Sequence, residues 1–302
     1  MGSIAFLFSG QGAQYTGMGR ELYEASPAAR SVFEMAESIK PGTIDRCFSG
    51  SAELLAKTEN TQPCLYCVGL AAAETLKESG ITANVLAGFS LGELTALAFS
   101  GAVTYQDGFN IVSRRAELMA KACELTDAGM VAVMKLSGED VWAICSEFEN
   151  VFPVNFNYDG QIVAAGIKDE LEPFILRIKE AGGRAMPLAV GGGFHSPLMA
   201  GAAADFTAAL EGFKIGKPKL PLYSNVTAKP YESDAKGLLA RQMCSPVMWE
   251  AEIKNMISDG ADTFVEVGPG KTLRGFVSRI SDKVRVFNVE DRESFKKTIE
   301  GI

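Results

Sequence analysis

Short apolar runs alternate with longer amphipathic segments along most of the chain. The runs at 4–8 and 85–87 are uninterrupted and of strand length, and a glycine-containing turn follows each of them. Elsewhere the apolar residues recur at helical spacing, as they do over 107–125. Alternation of buried strands with helices is typical of an α/β fold wound around a parallel sheet.

The pattern changes over 127–190, where two strand-length segments follow one another without a helix between them. The predicted elements are a strand at 130–136, a helix to about 148, strands at 151–157 and 161–165, a helix at 169–181 and a strand at 184–189. That β-α-β-β-α-β order is the split βαβ, ferredoxin-like arrangement. We therefore predict a small subdomain over 127–190, inserted into a larger one that is built from 1–126 and 191–302 and continues with strands at 222–226, 263–267 and 284–289.

Charge and composition narrow the function classes. The 302 residues carry 29 Lys and Arg against 37 Asp and Glu, a net charge of −8. Such a chain repels phosphates on average, which argues against nucleic acid and anionic membrane as partners. The one long uncharged window, 185–204, contains two prolines and three consecutive glycines, so it predicts a loop rather than a membrane helix. We expect a cytoplasmic protein.

The six cysteines are too sparse for a disulfide scaffold and favour a reducing compartment. Cys64 and Cys67 form the one close pair, and they lie in an apolar helical run. Core packing is the first interpretation of this pair. A redox or metal role is the second, but no further pair is present to complete a zinc site.

Three glycine motifs are candidates for chemistry. G-Q-G at 10–12 lacks the third glycine of a dinucleotide loop, and G-K-T at 270–272 has Val265 where a phosphate loop needs its first glycine. G-F-S-L-G at 88–92 lies between a predicted strand and a predicted helix, as in a nucleophile elbow that exposes its serine at the apex. The alternative for Ser90 is a tight turn with an incidental serine.

A serine nucleophile needs a base, and His195 is the only histidine in the chain. A lone histidine is more often a satisfied core or surface group than a catalyst, but His195 follows a glycine-rich loop and precedes a predicted helix, which places it at the rim of a sheet. Asp159 and Asp169 lie between Ser90 and His195 in the chain, but within the insert. A backbone or amide carbonyl is therefore the alternative partner for the imidazole.

Arg114 and Arg115 lie on the amphipathic helix that follows Ser90. An arginine on the core side of a helix is costly unless it meets an anion, and a guanidinium suits a carboxylate. The other arginine is expected to be solvated and to pair with Glu117 or a nearby acid. The spacing does not decide between the two.

At this point the chain resembles the malonyl-CoA:acyl carrier protein transacylases and the related acyltransferase domains of polyketide synthases. The resemblance covers essentially the whole chain and rests on motifs that occur in the family's order. These are F-S-G-Q-G-A-Q at 8–14, T-Q-P at 61–63, G-F-S-L-G-E at 88–93, Arg115, V-N-F-N at 154–157, F-H-S-P-L-M at 194–199, S-N-V at 224–226 and E-V-G-P-G at 266–270.

The resemblance implies a hydrolase-like large subdomain with a parallel sheet and an inserted ferredoxin-like subdomain. It implies that malonyl-CoA acylates Ser90, that His195 is the general base and then acid, and that the acyl carrier protein takes the malonyl group. It further implies that Arg115 binds the malonyl carboxylate. The remaining implied roles are an oxyanion hole from the backbone N–H groups of Gln11 and Leu91, a pocket lined by Met119 and Phe194, and a carbonyl of Gln242 that orients the histidine.

Neither a metal nor a separate cofactor is expected. The family resemblance implies a monomer. Phe89 stands where the family usually has histidine, so a polar contact of the family's acyl pocket is absent here. Phe194 matches the malonyl-type pattern. The alternatives are a stand-alone acyltransferase that supplies a polyketide synthase, a serine acyl hydrolase, and a non-catalytic protein of the same fold.

A docking surface for an acidic carrier protein needs local positive charge on this acidic chain. The candidate residues are Lys271, Arg274, Arg279, Lys283 and Arg285 near the C-terminus, with Lys179 and Arg184 in the insert. Solvated helix faces are the equally weighted alternative.

Overall fold

The computed structural model describes residues 2–302 and contains two separate four-stranded sheets. The strands are β1 (Ser3–Phe8), β2 (Val85–Gly88), β3 (Ala128–Met134), β4 (Val151–Tyr158), β5 (Gln161–Ile167), β6 (Arg184–Pro187), β7 (Ala261–Val267) and β8 (Arg285–Val289). The α/β fold predicted from the alternating pattern is confirmed.

Helices surround both sheets. They are α1 (Arg20–Ala25), α2 (Pro27–Ile39), α3 (Thr43–Ser49), α4 (Ala52–Ala56), α5 (Thr58–Glu78), α6 (Leu91–Phe99), α7 (Tyr105–Leu125), α8 (Gly138–Cys145), α9 (Lys168–Glu180), α10 (Ala200–Leu210), α11 (Ala235–Gln242), α12 (Trp249–Ser258), α13 (Thr272–Ile280) and α14 (Arg292–Gly301). A short 3₁₀ turn, Pro197–Met199, precedes α10. Within residues 2–302, no helix is both long enough and apolar enough to cross a bilayer.

The larger sheet is parallel, with strand order β2-β1-β7-β8. Alternate residues of β1 face opposite sides, and both sides are buried. Phe6 and Phe8 belong to the core beneath α5, α6 and α7, whereas Ala5 and Leu7 belong to the core beneath α12 and α13. Burial on both faces explains the uninterrupted apolar run at 4–8 in β1, because a parallel strand covered on both sides buries nearly all of its side chains.

The smaller sheet is antiparallel, with strand order β4-β5-β3-β6, which is the order of a ferredoxin-like unit. Helices α8 and α9 contribute to a separate apolar core with these strands. A capping box starts α8, since the Ser137 hydroxyl accepts from the Asp140 N–H and the Asp140 carboxylate accepts from the Ser137 N–H. The division at 127–190 stays a prediction.

The predicted strand at 222–226 is wrong. Leu222 makes only an isolated bridge to Leu86 of β2, and Tyr223 makes one to Pro230. The chain then turns back, because the Ala228 N–H donates to the Ser224 carbonyl. The helices α3, α4 and α14 were not predicted. Two of them, α3 and α4, are short, and α14 is strongly polar on average.

Two glycines allow α6 to pack closely against the sheet. A Cβ at Gly88 would overlap the backbone of Gly92, and a Cβ at Gly92 would overlap the carbonyl oxygen of Phe8 in β1. The strand-to-helix turn that contains Ser90 therefore depends on glycine at both of these positions.

Gly92→Ala should destabilise the fold by about 2–3 kcal/mol, because backbone atoms of β1 must move to admit the methyl group. Urea unfolding measures the effect. Gly201→Ala in α10 is the matched control, since nothing lies near an added Cβ there and alanine favours a helix by up to about 1 kcal/mol over glycine. Equal stability of the two variants would contradict the close approach of α6 to β1.

Candidate active site

Ser90 lies at the turn between β2 and α6 in a conformation that non-glycine residues rarely adopt. Its φ is 53° and its ψ is −103°, and a strained residue of this kind is most often found at a functional site. The helix starts at the next residue, so its positive end lies close to the serine. The expected exposure of Ser90 is wrong, because only 9% of the residue is accessible and its side chain lies in a cavity.

The cavity lies between the two sheets and has a volume of about 260 Å³. The large subdomain contributes Gln11, Ser90 and His195 to its walls, together with the apolar side chains of Phe89, Met119 and Phe194. The strands of the small sheet contribute Met130, Ala132, Asn155, Asn157, Gln161 and Val163. A substrate in this cavity would therefore contact both subdomains.

His195 lies against Ser90. Its Nε2 is 2.7 Å from Ser90 Oγ, and its Nδ1 is 2.8 Å from the backbone carbonyl oxygen of Gln242. A carbonyl oxygen can only accept, so Nδ1 carries the proton and Nε2 is free to accept one from the serine. The carbonyl takes the place that an acid occupies in a catalytic triad, and neither Asp159 nor Asp169 has that role.

Burial, and next the positive charge of Arg115, lower the pKa of His195 from 6.5 to about 4. An imidazole with such a pKa is neutral at pH 7, which is the state that a general base requires. The hydrogen bond to Gln242 opposes the shift but does not cancel it.

Arg115 is completely buried, and its guanidinium also contacts the serine. One terminal nitrogen donates to Gln62 Oε1 at 2.9 Å, and the other donates to Gln242 Oε1 at 2.8 Å and to Ser90 Oγ at 3.1 Å. Its Nε has no acceptor within residues 2–302. Burial lowers the pKa of Arg115 to about 10, so the group is still positively charged at neutral pH.

The structure resolves the choice between the two neighbouring arginines. Arg114 points outward, is about half exposed and pairs with Glu117 at 3.2 Å. Arg115 is one residue further along α7, and the turn of about 100° between neighbours directs it to the core. The prediction that one of the two is solvated and paired with Glu117 is confirmed.

A buried polar cluster that sequence analysis did not assign lies behind the serine. Glu93 accepts hydrogen bonds from Gln242 Nε2 at 2.6 Å, from the Asn225 N–H at 3.2 Å and from the Tyr231 hydroxyl. Asn225 also contacts Glu252, and burial raises the pKa of both glutamates. Glu93 and Asn225 occur within the motifs quoted for the family resemblance, so the sequence marked both residues. A motif does not indicate which atoms form contacts, and neither residue was therefore given a role.

Two further residues in the cavity were quoted without a role. Asn155 and Asn157 lie on β4, are buried, and each has a side-chain oxygen without a hydrogen-bond donor in residues 2–302. Both residues line the cavity. A buried amide oxygen without a partner is costly, so these atoms are suited to accept hydrogen bonds from a bound ligand.

The aromatic residue at position 89 is held by other aromatic rings. The centroid of the Phe89 ring lies 5.4 Å from that of Trp249 and 6.2 Å from that of Phe276, and the Tyr158 ring centroid lies 5.7 Å from that of Phe276. Phe89 thus forms part of an apolar cavity wall.

The candidate docking residues lie partly near the cavity mouth. Lys271 and Arg274 lie at the start of α13, whose Thr272 and Phe276 line the cavity. Lys271 is 3.4 Å from Glu290, and Arg274 donates to Asn288. Their role in docking stays a prediction.

A nucleophile elbow with a histidine base, on an α/β fold that carries a ferredoxin-like sheet, defines an enzyme of the acyl-transfer class. The family model described as the acyl transferase domain matches residues 5–291. The chain belongs to this acyl transferase family, as the sequence resemblance predicted.

Named relatives agree with this assignment. The chain is 38% identical over 310 residues to a malonyl CoA-acyl carrier protein transacylase of Bacillus subtilis, with 100% of this chain and 98% of the relative covered. A crystal structure of the transacylase of that name from Clostridium perfringens superposes with a TM-score of 0.95 at 37% identity, covering 99% of this chain and 96% of the other. A malonyl-transacylase solved in complex with a type II polyketide synthase acyl carrier protein gives a TM-score of 0.96 at 32% identity, covering 99% and 100%.

His195 can be titrated directly, because it is the only histidine in the chain. We expect its ring resonances in NMR to titrate with a pKa of about 4. Arg115→Ala should raise that pKa, since a neighbouring positive charge that disfavours the imidazolium is removed. Arg114→Ala removes an exposed charge from the same helix and should leave it unchanged. A wild-type pKa near the ordinary 6.5 would contradict a lowering of the His195 pKa by burial and by Arg115.

Proposed function

We propose that this protein transfers a malonyl group from malonyl-CoA to the phosphopantetheine thiol of an acyl carrier protein, through a malonyl ester on Ser90. The observation that carries the proposal is the pair of contacts on Ser90 Oγ, which lies 2.7 Å from the neutral base His195 and 3.1 Å from the buried cation of Arg115. The names of the relatives, which include a complex with a carrier protein, support the substrate and the acceptor.

In the first half-reaction, Ser90 Oγ attacks the thioester carbonyl carbon while its proton passes to His195 Nε2. The tetrahedral intermediate collapses, the C–S bond breaks, and CoA leaves with the proton that His195 returns to its sulfur. The hydrogen bond from Nδ1 to the Gln242 carbonyl holds the ring in the orientation that this transfer requires.

In the second half-reaction, the thiol of the carrier protein occupies the place of CoA. His195 takes the thiol proton, the sulfur attacks the ester carbonyl of malonyl-Ser90, and the proton returns to Ser90 Oγ as the ester bond breaks. One base serves both directions, since each half-reaction exchanges a thioester for an ester through the same intermediate.

The oxyanion of that intermediate needs donors that are already in place. We assign this role to the backbone N–H groups of Gln11 and Leu91. Gln11 lines the cavity, and Leu91 is the first residue of α6. Neither N–H makes another hydrogen bond within residues 2–302, so both remain available.

Arg115 is assigned to the malonyl carboxylate. Its direct partners, Gln62, Gln242 and Ser90, are all uncharged. A bound carboxylate would therefore be the first anion in direct contact with this desolvated cation, and such a pair is strong where water is excluded. The apolar side chains of Met119 and Phe194 would line the remainder of the acyl site.

Fatty acid synthesis is the pathway that we assign to this activity, with supply of a polyketide synthase as the alternative. All six cysteines are free thiols, which suits a reducing compartment. A cytoplasmic monomer is part of this proposal.

Malonyl-CoA alone should add one malonyl group to the intact protein, and Ser90→Ala should abolish the adduct. Addition of holo-carrier protein should discharge the adduct and yield malonyl-carrier protein. Intact mass spectrometry with a panel of acyl-CoAs follows each step. Free malonate in place of malonyl-carrier protein would indicate a serine hydrolase, and wild-type protein without an adduct would overturn the proposal in favour of a non-catalytic role.

Arg115→Ala should lower kcat/KM for malonyl transfer by a factor that corresponds to about 2–4 kcal/mol, because a charge-assisted pair in a dry site is lost. Transfer of the uncharged acetyl group should be spared. Arg114→Ala is the matched control, since its exposed pair with Glu117 contributes little. An equal loss for malonyl and acetyl groups would exclude Arg115 as the carboxylate-binding residue.

A further inference from the structure

Asn225 is a fully buried residue at the centre of the cluster behind the serine. It lies three residues after Leu222, which makes the isolated bridge to Leu86 of β2. All of its polar groups are engaged, including its backbone N–H with Glu93 and its backbone carbonyl with the Met248 N–H. Because each polar group of Asn225 has a hydrogen-bond partner, the position of its side chain is fixed.

The side chain of Asn225 bridges two consecutive peptide groups of the elbow. Its Oδ1 accepts from the Ser90 N–H at 2.7 Å, and its Nδ2 donates to the Gly88 carbonyl at 2.8 Å. These peptide groups flank Phe89. A single amide therefore restrains the backbone on both sides of Phe89, and with it the direction in which the chain enters Ser90.

The orientation of this amide is determined by its neighbours. Nδ2 also donates to Glu252 Oε2 at 2.9 Å, and Oδ1 lies 3.4 Å from the donor Gln242 Nε2. An exchange of O and N in Asn225 would place an acceptor against the Gly88 carbonyl and a donor against the Ser90 N–H. The surroundings thus permit one orientation.

The restraint is needed because the conformation of Ser90 is unfavourable. A non-glycine residue with φ of 53° lies in a region that costs about 1–3 kcal/mol and persists where the surrounding structure enforces it. The two glycines of the motif permit the close packing of this turn, but they do not make a hydrogen bond to the Ser90 N–H. Asn225 makes that hydrogen bond.

We propose that Asn225 is a positioning residue for acyl transfer, which holds the elbow so that Ser90 Oγ stays in line with His195 Nε2 and Arg115. Its side-chain amide is fully engaged with Ser90, Gly88 and Glu252, so it is not free to bind the substrate. The inference rests on the proposed function, in which Ser90 is the nucleophile. A small displacement of a nucleophile can lower a rate by about 100-fold, so the effect should appear in the acylation step.

The test is the single-turnover rate at which malonyl-CoA acylates Ser90, followed by quenched intact mass spectrometry and expressed per folded molecule. For Asn225→Ala we expect the maximal rate to fall about 10- to 100-fold. The malonyl-CoA concentration at half-maximal rate should stay close to that of wild type, because the contacts of the cavity walls are retained. Amide hydrogen exchange in a peptide that covers 88–92 should become faster.

Asn288→Ala is the matched control, because Asn288 is also buried and hydrogen-bonded, to Arg274 and Glu290, but does not contact the elbow. It should lose stability without losing acylation rate per folded molecule. If Asn225→Ala does not fold, Asn225→Asp is the second variant. It keeps the side-chain volume and the acceptor for the Ser90 N–H but loses donor capacity, so its acylation rate should lie below that of wild type by less than the fall of about 10- to 100-fold expected for Asn225→Ala.

A wild-type acylation rate in folded Asn225→Ala, or in Asn225→Asp where only that variant folds, would overturn the inference. The inference would also be overturned if Asn225→Ala lost acylation only in proportion to its smaller folded fraction, as expected for Asn288→Ala. These results differ from failure of the proposed function, in which wild-type protein itself forms no malonyl-Ser90.

Discussion

The site depends on one constraint, which is that a serine hydroxyl lies between a neutral imidazole and a buried guanidinium. A buried cation raises the cost of protonating the histidine beside it, and that cost helps to lower the pKa of His195 to about 4. The same cation lies 3.1 Å from Ser90 Oγ, where it favours negative charge on the reacting oxygen and on a bound diacid. Under the proposed function, Arg115 therefore acts on the base, the nucleophile and the acyl group together.

Burial of that cation needs compensation, which polar groups from distant parts of the chain provide. Gln62 comes from α5 and Gln242 from the end of α11, and both present amide oxygens to Arg115. Gln242 also donates to Glu93, so the nearest buried acid reaches the arginine through a neutral amide rather than by direct contact. A direct ion pair would occupy the guanidinium, whereas this arrangement leaves it able to bind a carboxylate substrate.

The fold provides the second requirement, which is that the side chains of the site are held in place in a cavity that excludes water. Parallel strands bring the ends of β1 and β2 together, and the small antiparallel sheet covers the resulting cavity from the opposite side. The prediction of a nucleophile elbow depended on the glycines two positions before and after Ser90, and the packing of α6 against β1 and β2 explains why Gly88 and Gly92 are small. Exclusion of water strengthens each electrostatic contact in the cavity.

The sequence by itself determined the α/β architecture and the ferredoxin-like strand order, and it selected Ser90 and His195 as candidate catalytic residues, since periodicity, glycine spacing and a single histidine are local properties of the chain. Residue spacing alone did not decide between Arg114 and Arg115, or between an acid and a carbonyl as the partner of His195; for these the family resemblance supplied Arg115 and the Gln242 carbonyl. Sequence analysis also placed a strand at 222–226, where the chain instead turns and delivers Asn225 to the elbow. Those outcomes belong to the tertiary structure, because they depend on which atoms from separate helices and loops meet in a buried space.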